Sequence, residues 1–296
     1  MKIAILWSSG FIGRYITENL KREYDIIAFW RADSPFNSDI EYYTWDIRQA
    51  NPYNLTFDIC IDLAADVDYE KDQKNLLANN VDSMKYICEF LENSRCSHMI
   101  YISSSSVYMG KSGIIDEGVK ISIDDLKNSY ALSKYLAEVS LLEKISDSIK
   151  LSILRPRGVY GEEDTTLLPK ILKYHILGNL ILPWDGKVMT SMTSIENLAE
   201  AIRIIIHKQT SRSEIFNVSD EWEIAYEAMY RNLCVKYRFR WIFSLPVSIL
   251  RVLMVFSPNK WSYIYDNFTR NKVLDISKIR KLWYNPLWSI ESFLRK

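Results

Sequence analysis

Metal-binding side chains are in short supply in this chain of 296 residues. It has three histidines and four cysteines, Cys60, Cys88, Cys96 and Cys234, none of them in a C-x-x-C pair. Neither a structural metal nor a disulfide framework is expected, and the thiols suit a reducing, cytoplasmic setting. Net charge is lacking as well: 37 Lys plus Arg balance 37 Asp plus Glu. No overall field gathers nucleic acid or an acidic surface, so a small-molecule partner is the better expectation. No apolar run reaches the roughly 20 residues of a spanning helix. The nearest, WIFSLPVSILRVLMVF at 241–256, is broken by Pro246 and Arg251. Its length and interior arginine leave two readings open, a buried or lid helix and a surface that meets lipid or a lipid-like substrate. Only five apolar residues stand between Lys2 and Ser8, too few for the apolar region of a signal peptide. Internal repeats and low-complexity tracts are absent.

What is present is enough apolar material, 48% of residues, to bury a large core. Short apolar runs at Ile3–Leu6, Asp25–Trp30, Ile59–Leu63, His98–Ser103 and Lys150–Leu154 alternate with helical patterns over 12–23, 79–93 and 129–144. That alternation predicts an α/β fold, a doubly wound parallel sheet of the Rossmann type, with a smaller C-terminal substrate lobe. Residues 1–165 are assigned to the cofactor domain and 191–206 to a return into it. The lobe takes 166–190 and 207–296. Ligands of such sheets bind at the carboxyl ends of the strands, where the strand order reverses.

The residues after those strands carry the chemistry. The first strand runs into WSSGFIGRY, in which Gly10 and Gly13, flanking Phe11 and Ile12, allow close approach of a pyrophosphate to a helix N-terminus. Trp7 stands where a first glycine is expected, so a turn of unusual shape is predicted. The second strand ends at Trp30 and Arg31 instead of a carboxylate. This suits a 2′-phosphate and leans towards NADP over NAD, although Asp33 could also reach a ribose. Further on, Tyr130 and Lys134 are one helical turn apart on one face. A nearby ammonium favours phenolate over a phenol of ordinary pKa about 10. A hydroxyl from the serine run at 103–106, at the end of the preceding strand, could hold a substrate oxygen while the proton moves.

In order along the chain, SSGFIGRY, WDIRQ, CIDLAAD, NNVDS, SSSSVYMG, YALSK, LRPRGVYG and LDISKIRKLWYNP resemble the extended short-chain dehydrogenase/reductases of the NAD-dependent epimerase/dehydratase family over nearly the full length. The resemblance implies hydride transfer between a substrate carbinol carbon and a nicotinamide. It implies Tyr130 as acid/base, Lys134 as the lysine that binds the nicotinamide ribose and tunes the tyrosine, and Ser104 as the catalytic Ser/Thr. It places Asp46 and Ile47 against adenine, Leu63, Ala64 and Ala65 along the cofactor, and Pro156 to Val159 near the nicotinamide. It departs from nucleotide-sugar epimerases at Thr190, where an arginine usually pairs with the diphosphate, and at Gly158, where many carry a substrate-facing asparagine. The expected activity is an NAD(P)-dependent epimerase or 4-ketoreductase of a nucleotide-linked or lipid-linked sugar. A reductase of a hydrophobic, sterol-like ketone and a non-catalytic dinucleotide sensor are the alternatives. Expected partners are a sugar conjugate, a membrane surface through 241–256 and a second copy of the chain in a homodimer.

Overall fold

The computed structural model describes residues 1–31, 39–66, 73–208 and 212–295, and the structural statements below concern these. Seven parallel strands form the central sheet: β1 (Lys2–Leu6), β2 (Asp25–Trp30), β3 (Glu41–Thr44), β4 (Ile59–Asp62), β5 (His98–Ile102), β6 (Lys150–Pro156) and β7 (Ser213–Val218), in the order β7-β6-β5-β4-β1-β2-β3. The order reverses at β1, whose Leu6 is in register with Phe29 of β2 on one side and with Asp62 of β4 on the other. The crevice of a doubly wound sheet therefore lies over Leu6 and Asp62.

Alternation along β1 explains why the sheet is covered on both faces. Ile3 and Ile5 point into a core closed by Ile16 and Leu20 of α1 (Phe11–Leu20) together with Ile202 and Ile205 of a later helix, Ile195–His207. Ala4 and Leu6 point the other way, onto Met84 and Leu91 of a helix at Ser83–Asn93 and onto Ala137 and Leu141 of a helix at Ser129–Lys144. These side chains are essentially inaccessible to solvent, and burying a large aliphatic one contributes about 1.5–3 kcal/mol. A period of two in the strands and of 3.6 in the helices is what allows both layers to be apolar.

Three features differ from the sequence reading. The return to the sheet runs beyond 191–206: Ser213–Val218, assigned to the lobe, forms the edge strand β7 beside β6. Conversely, Gly113–Ile115, inside 1–165, pairs with Lys272–Leu274 in a four-stranded lobe sheet that also holds Met189–Thr190 and Ile224–Ala225. The 241–256 stretch is not a buried helix. It is a strand, Ile242–Leu245, beside Asn179–Pro183, followed by a helix, Val247–Phe256, in which only Leu250 is buried. The lobe's own core includes Leu180, Leu182, Ile224, Met229 and Leu233.

Candidate active site

The turn after β1 accommodates its tryptophan by taking a glycine's conformation: Trp7 has φ 63°, a left-handed geometry that costs a side-chain-bearing residue about 1–2 kcal/mol. Ser8 fastens the turn, its N–H and its hydroxyl both donating to the Phe29 carbonyl at 3.1 Å. The indole lies against Gly10, where an added Cβ would stand 3.4 Å from Cδ1, and beneath the Arg31 guanidinium, 5.1 Å from the ring centroid. Gly13 is obligatory, since a Cβ there would stand 2.3 Å from the Trp7 carbonyl oxygen. Helix α1 starts at Phe11 and Ile12, with Gly10 as an N-cap that offers no side-chain bond and with no acidic residue in the first turn. Its first N–H groups therefore remain available to a pyrophosphate, and the chain fits a dinucleotide at this point.

Arg31 follows β2 and is exposed, while Asp33 lies outside the described residues. Asp46, just beyond β3, holds the Arg48 guanidinium through both carboxylate oxygens, which keeps its carboxyl below the usual range. Ile47 beside it is buried. Beyond β4, the Leu63 N–H donates to the Leu6 carbonyl, and the Ala64 N–H donates to Asp62 Oδ1 at 2.8 Å. This draws Leu63, Ala64 and the half-buried Ala65 along the crevice. Asp62 was not singled out in the sequence, although it occupies the histidine position of the family's strand end. It is fully buried, its Oδ2 has no hydrogen-bond partner, and desolvation raises its carboxyl to about 6.

The Ser129–Lys144 helix carries Tyr130 and Lys134. Asn128 caps it, accepting from the N–H groups of Tyr130 and Ala131. Lys134 is buried, and its ammonium donates to the Ile102 carbonyl at the end of β5 at 2.7 Å and sits 4.3 Å from the Tyr101 ring centroid. Burial lowers its pKa to about 8, opposed by Asp62 and Glu138. Ser104 stands two residues after the end of β5, and its hydroxyl favours the Tyr130 phenolate, while burial dominates and raises the phenol. In this arrangement the ammonium is engaged with the strand end, and Ser104 is the neighbour that most assists the phenol.

Two further groups hold this geometry. Glu138, one turn beyond Lys134, accepts from Ser103 Oγ at 2.5 Å and from Arg155 of β6 at 3.0 and 2.5 Å. This pins the helix to the ends of β5 and β6. Asn80, in a π-helical turn at Ala78–Asp82, donates to Ser133 Oγ and accepts from the Asp66 N–H, tying the loop after β4 to the same helix. The i, i+4, i+8 spacing of Tyr130, Lys134 and Glu138 was the available sequence signal for Glu138.

On the lobe side, Pro156 ends β6 and Val159 begins a two-residue strand beside Thr193–Ser194. Between them Arg157 is buried. Its Nε donates to Thr190 Oγ1 at 2.8 Å and its Nη2 to Asn267 Oδ1 at 2.9 Å. No carboxylate of a described residue lies within ion-pair distance of it.

The profile of the NAD dependent epimerase/dehydratase family matches residues 3–219. Among curated proteins, the N-acetyl-alpha-D-glucosaminyl-diphospho-ditrans,octacis-undecaprenol 4-epimerase of Escherichia coli O157:H7 is 24% identical over 74% of this chain and 67% of its own length. The decarboxylating sterol-4-alpha-carboxylate 3-dehydrogenase of Schizosaccharomyces pombe is 25% identical over 68% and 63%. This chain thus spans about two thirds of the length of each of these two relatives. Among solved structures, UDP-glucuronic acid 4-epimerase from Bacillus cereus in complex with NAD superposes with a TM-score of 0.78 at 20% identity, covering 99% of this chain and 94% of that one. The dTDP-glucose 4,6-dehydratase DesIV of Streptomyces venezuelae, with NAD bound, superposes at 0.80 with 16% identity, covering 100% and 96%. The glycine turn, the seven-stranded parallel sheet and the family match agree, and the chain belongs to the NAD-dependent epimerase/dehydratase family of extended short-chain dehydrogenase/reductase enzymes.

Proposed function

We propose that this enzyme is an epimerase or 4-ketoreductase of a diphosphate-linked sugar, carried on a nucleotide or a lipid, with Tyr130 as acid/base. The observation that carries this reading is the convergence of Ser104, Tyr130 and Lys134 on the carboxyl end of β5, with a buried arginine just after the neighbouring strand β6 that has no carboxylate partner among the described residues. The nicotinamide supplies the hydride acceptor and donor when it is bound. Tyr130 acts as the phenolate, favoured by the Ser104 hydroxyl, to take the proton of the sugar hydroxyl as the carbinol carbon is oxidised, and as the phenol to return it on reduction. Ser104 orients the reacting oxygen, and Lys134 holds positive charge beside the strand end where the nicotinamide ribose would lie. Gly10, Phe11, Ile12 and Gly13 would hold the pyrophosphate, Asp46 and Ile47 the adenine end, and Leu63, Ala64, Ala65, Pro156 and Val159 the walls. Arg31, at the ribose end of the crevice, supports a preference for NADP.

Arg157 bears on the substrate. A guanidinium held by two neutral acceptors is an expensive thing to bury, and a diphosphate would neutralise it through charge-assisted bonds. Its contact with Thr190 brings positive charge to the position where the family's usual arginine is missing. This favours a diphosphate-linked sugar over a sterol-like ketone. Calorimetry with UDP and with inorganic pyrophosphate tests it. Arg157→Gln should weaken both by about 10-fold to 100-fold, the range for a charged hydrogen bond, without changing cofactor affinity. Equal affinity in wild type and variant would overturn the diphosphate reading. Turnover of UDP-sugars without net NAD(P)H consumption would identify an epimerase, and stoichiometric consumption a reductase.

A further inference from the structure

We propose that the outer face of the lobe, from Trp241 to Phe256 with the turn at Leu177, docks on the surface of an anionic phospholipid bilayer. The inference is independent of which sugar the active site takes.

The helix Val247–Phe256 presents its apolar side outwards. Ile249, Val252 and Phe256 are spaced i, i+3, i+7 and share one face, with Val255 beside them; Val255 is 76% and Phe256 81% exposed. The preceding strand, Ile242–Leu245, places Phe243 outwards, with Trp241 just before it, 75% exposed. Across the same small sheet, a two-residue turn joins His175–Ile176 to Asn179–Pro183 with Leu177 at φ 50° and Gly178 at φ 78°. That turn favours Asn-Gly, and a leucine in a left-handed conformation is strained. Here the strained leucine is 86% exposed. Isolated exposed apolar residues need no explanation, but seven large ones on one segment and its partner turn, Leu177, Trp241, Phe243, Ile249, Val252, Val255 and Phe256, mark an interaction surface.

Charge identifies the occupant. Residues 228–265 contain six Lys or Arg and no Asp or Glu, in a chain whose charges balance only as a whole. Arg238, Arg240 and Arg251 pair with no carboxylate among the described residues, and the stem of Arg240 lies over Gly178 beside the strained leucine. Exposed arginines interspersed with apolar and aromatic side chains complement anionic headgroups over acyl chains, whereas two copies of the same basic segment repel each other. No helix among the described residues is long and apolar enough to cross a membrane, so the face lies flat on the bilayer. It is also wired to the active site. Asn259, three residues after Phe256, accepts the Ser129 N–H at 2.7 Å and receives the Asn128 side-chain amide at 2.8 and 2.9 Å, at the start of the helix that carries Tyr130.

The test is co-sedimentation of the full chain with phosphatidylcholine vesicles, with and without a quarter of phosphatidylglycerol. Wild type should sediment with the anionic vesicles and be released by high salt. Val255→Ser with Phe256→Ser, and separately Arg240→Glu with Arg251→Glu, should each reduce partitioning about tenfold or more, with circular dichroism and turnover of a soluble substrate unchanged. Wild type that ignores anionic vesicles, or variants that bind as well as wild type, would overturn the proposal. Light scattering that reveals a dimer abolished by Val255→Ser with Phe256→Ser, in protein that ignores vesicles, would assign the face to a second copy instead.

Discussion

Replacing Asp62 by asparagine tests whether the crevice holds an ionised carboxylate at a cost to the fold. Asp62 Oδ1 accepts one backbone N–H, and Oδ2 is buried without a partner. Desolvation raises the carboxyl from 3.8 to about 6, even with the Lys134 ammonium and the Ala64 N–H opposing the rise. A rise of about two units corresponds to about 3 kcal/mol. Because the folded value lies above the unfolded one, folding favours the protonated form. The stabilisation is complete well below the unfolded value of 3.8 and is lost as pH climbs through 6. The amide introduced by Asp62→Asn never ionises, so the stability difference between variant and wild type should shift by about 2.5 kcal/mol in favour of the variant between pH 4 and pH 8. Any fixed penalty for burying the amide adds the same offset at both pH values and drops out of that change. Urea denaturation of both proteins across this range measures it. A difference that stays flat with pH, or moves in favour of wild type, would refute the argument that the carboxylate is desolvated and unpaired. The substitution also removes a charge that holds the Lys134 ammonium protonated, so any alkaline fall in turnover near pH 8 should begin at lower pH.

Tyr130→Phe should leave cofactor affinity nearly unchanged by calorimetry and lower turnover by roughly 10²-fold or more; retained activity would remove the phenol from the chemistry. Lys134→Ala, by contrast, should weaken both binding and turnover. Arg31→Ala should cost NADPH binding about 1.5–3 kcal/mol, the range for a charged hydrogen bond, while NADH barely changes, and nucleotide fluorescence titrations would expose equal losses if the NADP preference is wrong. Trp7→Gly relieves the left-handed strain of about 1–2 kcal/mol but surrenders the indole's contacts with Gly10 and Arg31, so NADP(H) affinity should stay within about tenfold. A wild type that binds neither NAD(H) nor NADP(H), with binding restored by the glycine, would mean that the tryptophan closes the site.

The amino-acid sequence by itself determined the layered sheet, the glycine turn and the Tyr130–Lys134 pair. Each depends on short-range geometry: a period of two or 3.6, a turn that admits no Cβ at Gly13, a spacing of four on one helix. The tertiary structure decided what long-range packing brings together. Ser213–Val218 is an ordinary apolar run until it pairs with β6. Arg157 meets Thr190 and Asn267 from 33 and 110 residues away, and no local pattern announces a buried cation held only by neutral acceptors. The helix at Val247–Phe256 is apolar enough for a core. Hydropathy states what a side chain is made of, and only the fold left Val255 and Phe256 facing water, because the lobe had already filled its core with residues such as Leu182 and Met229.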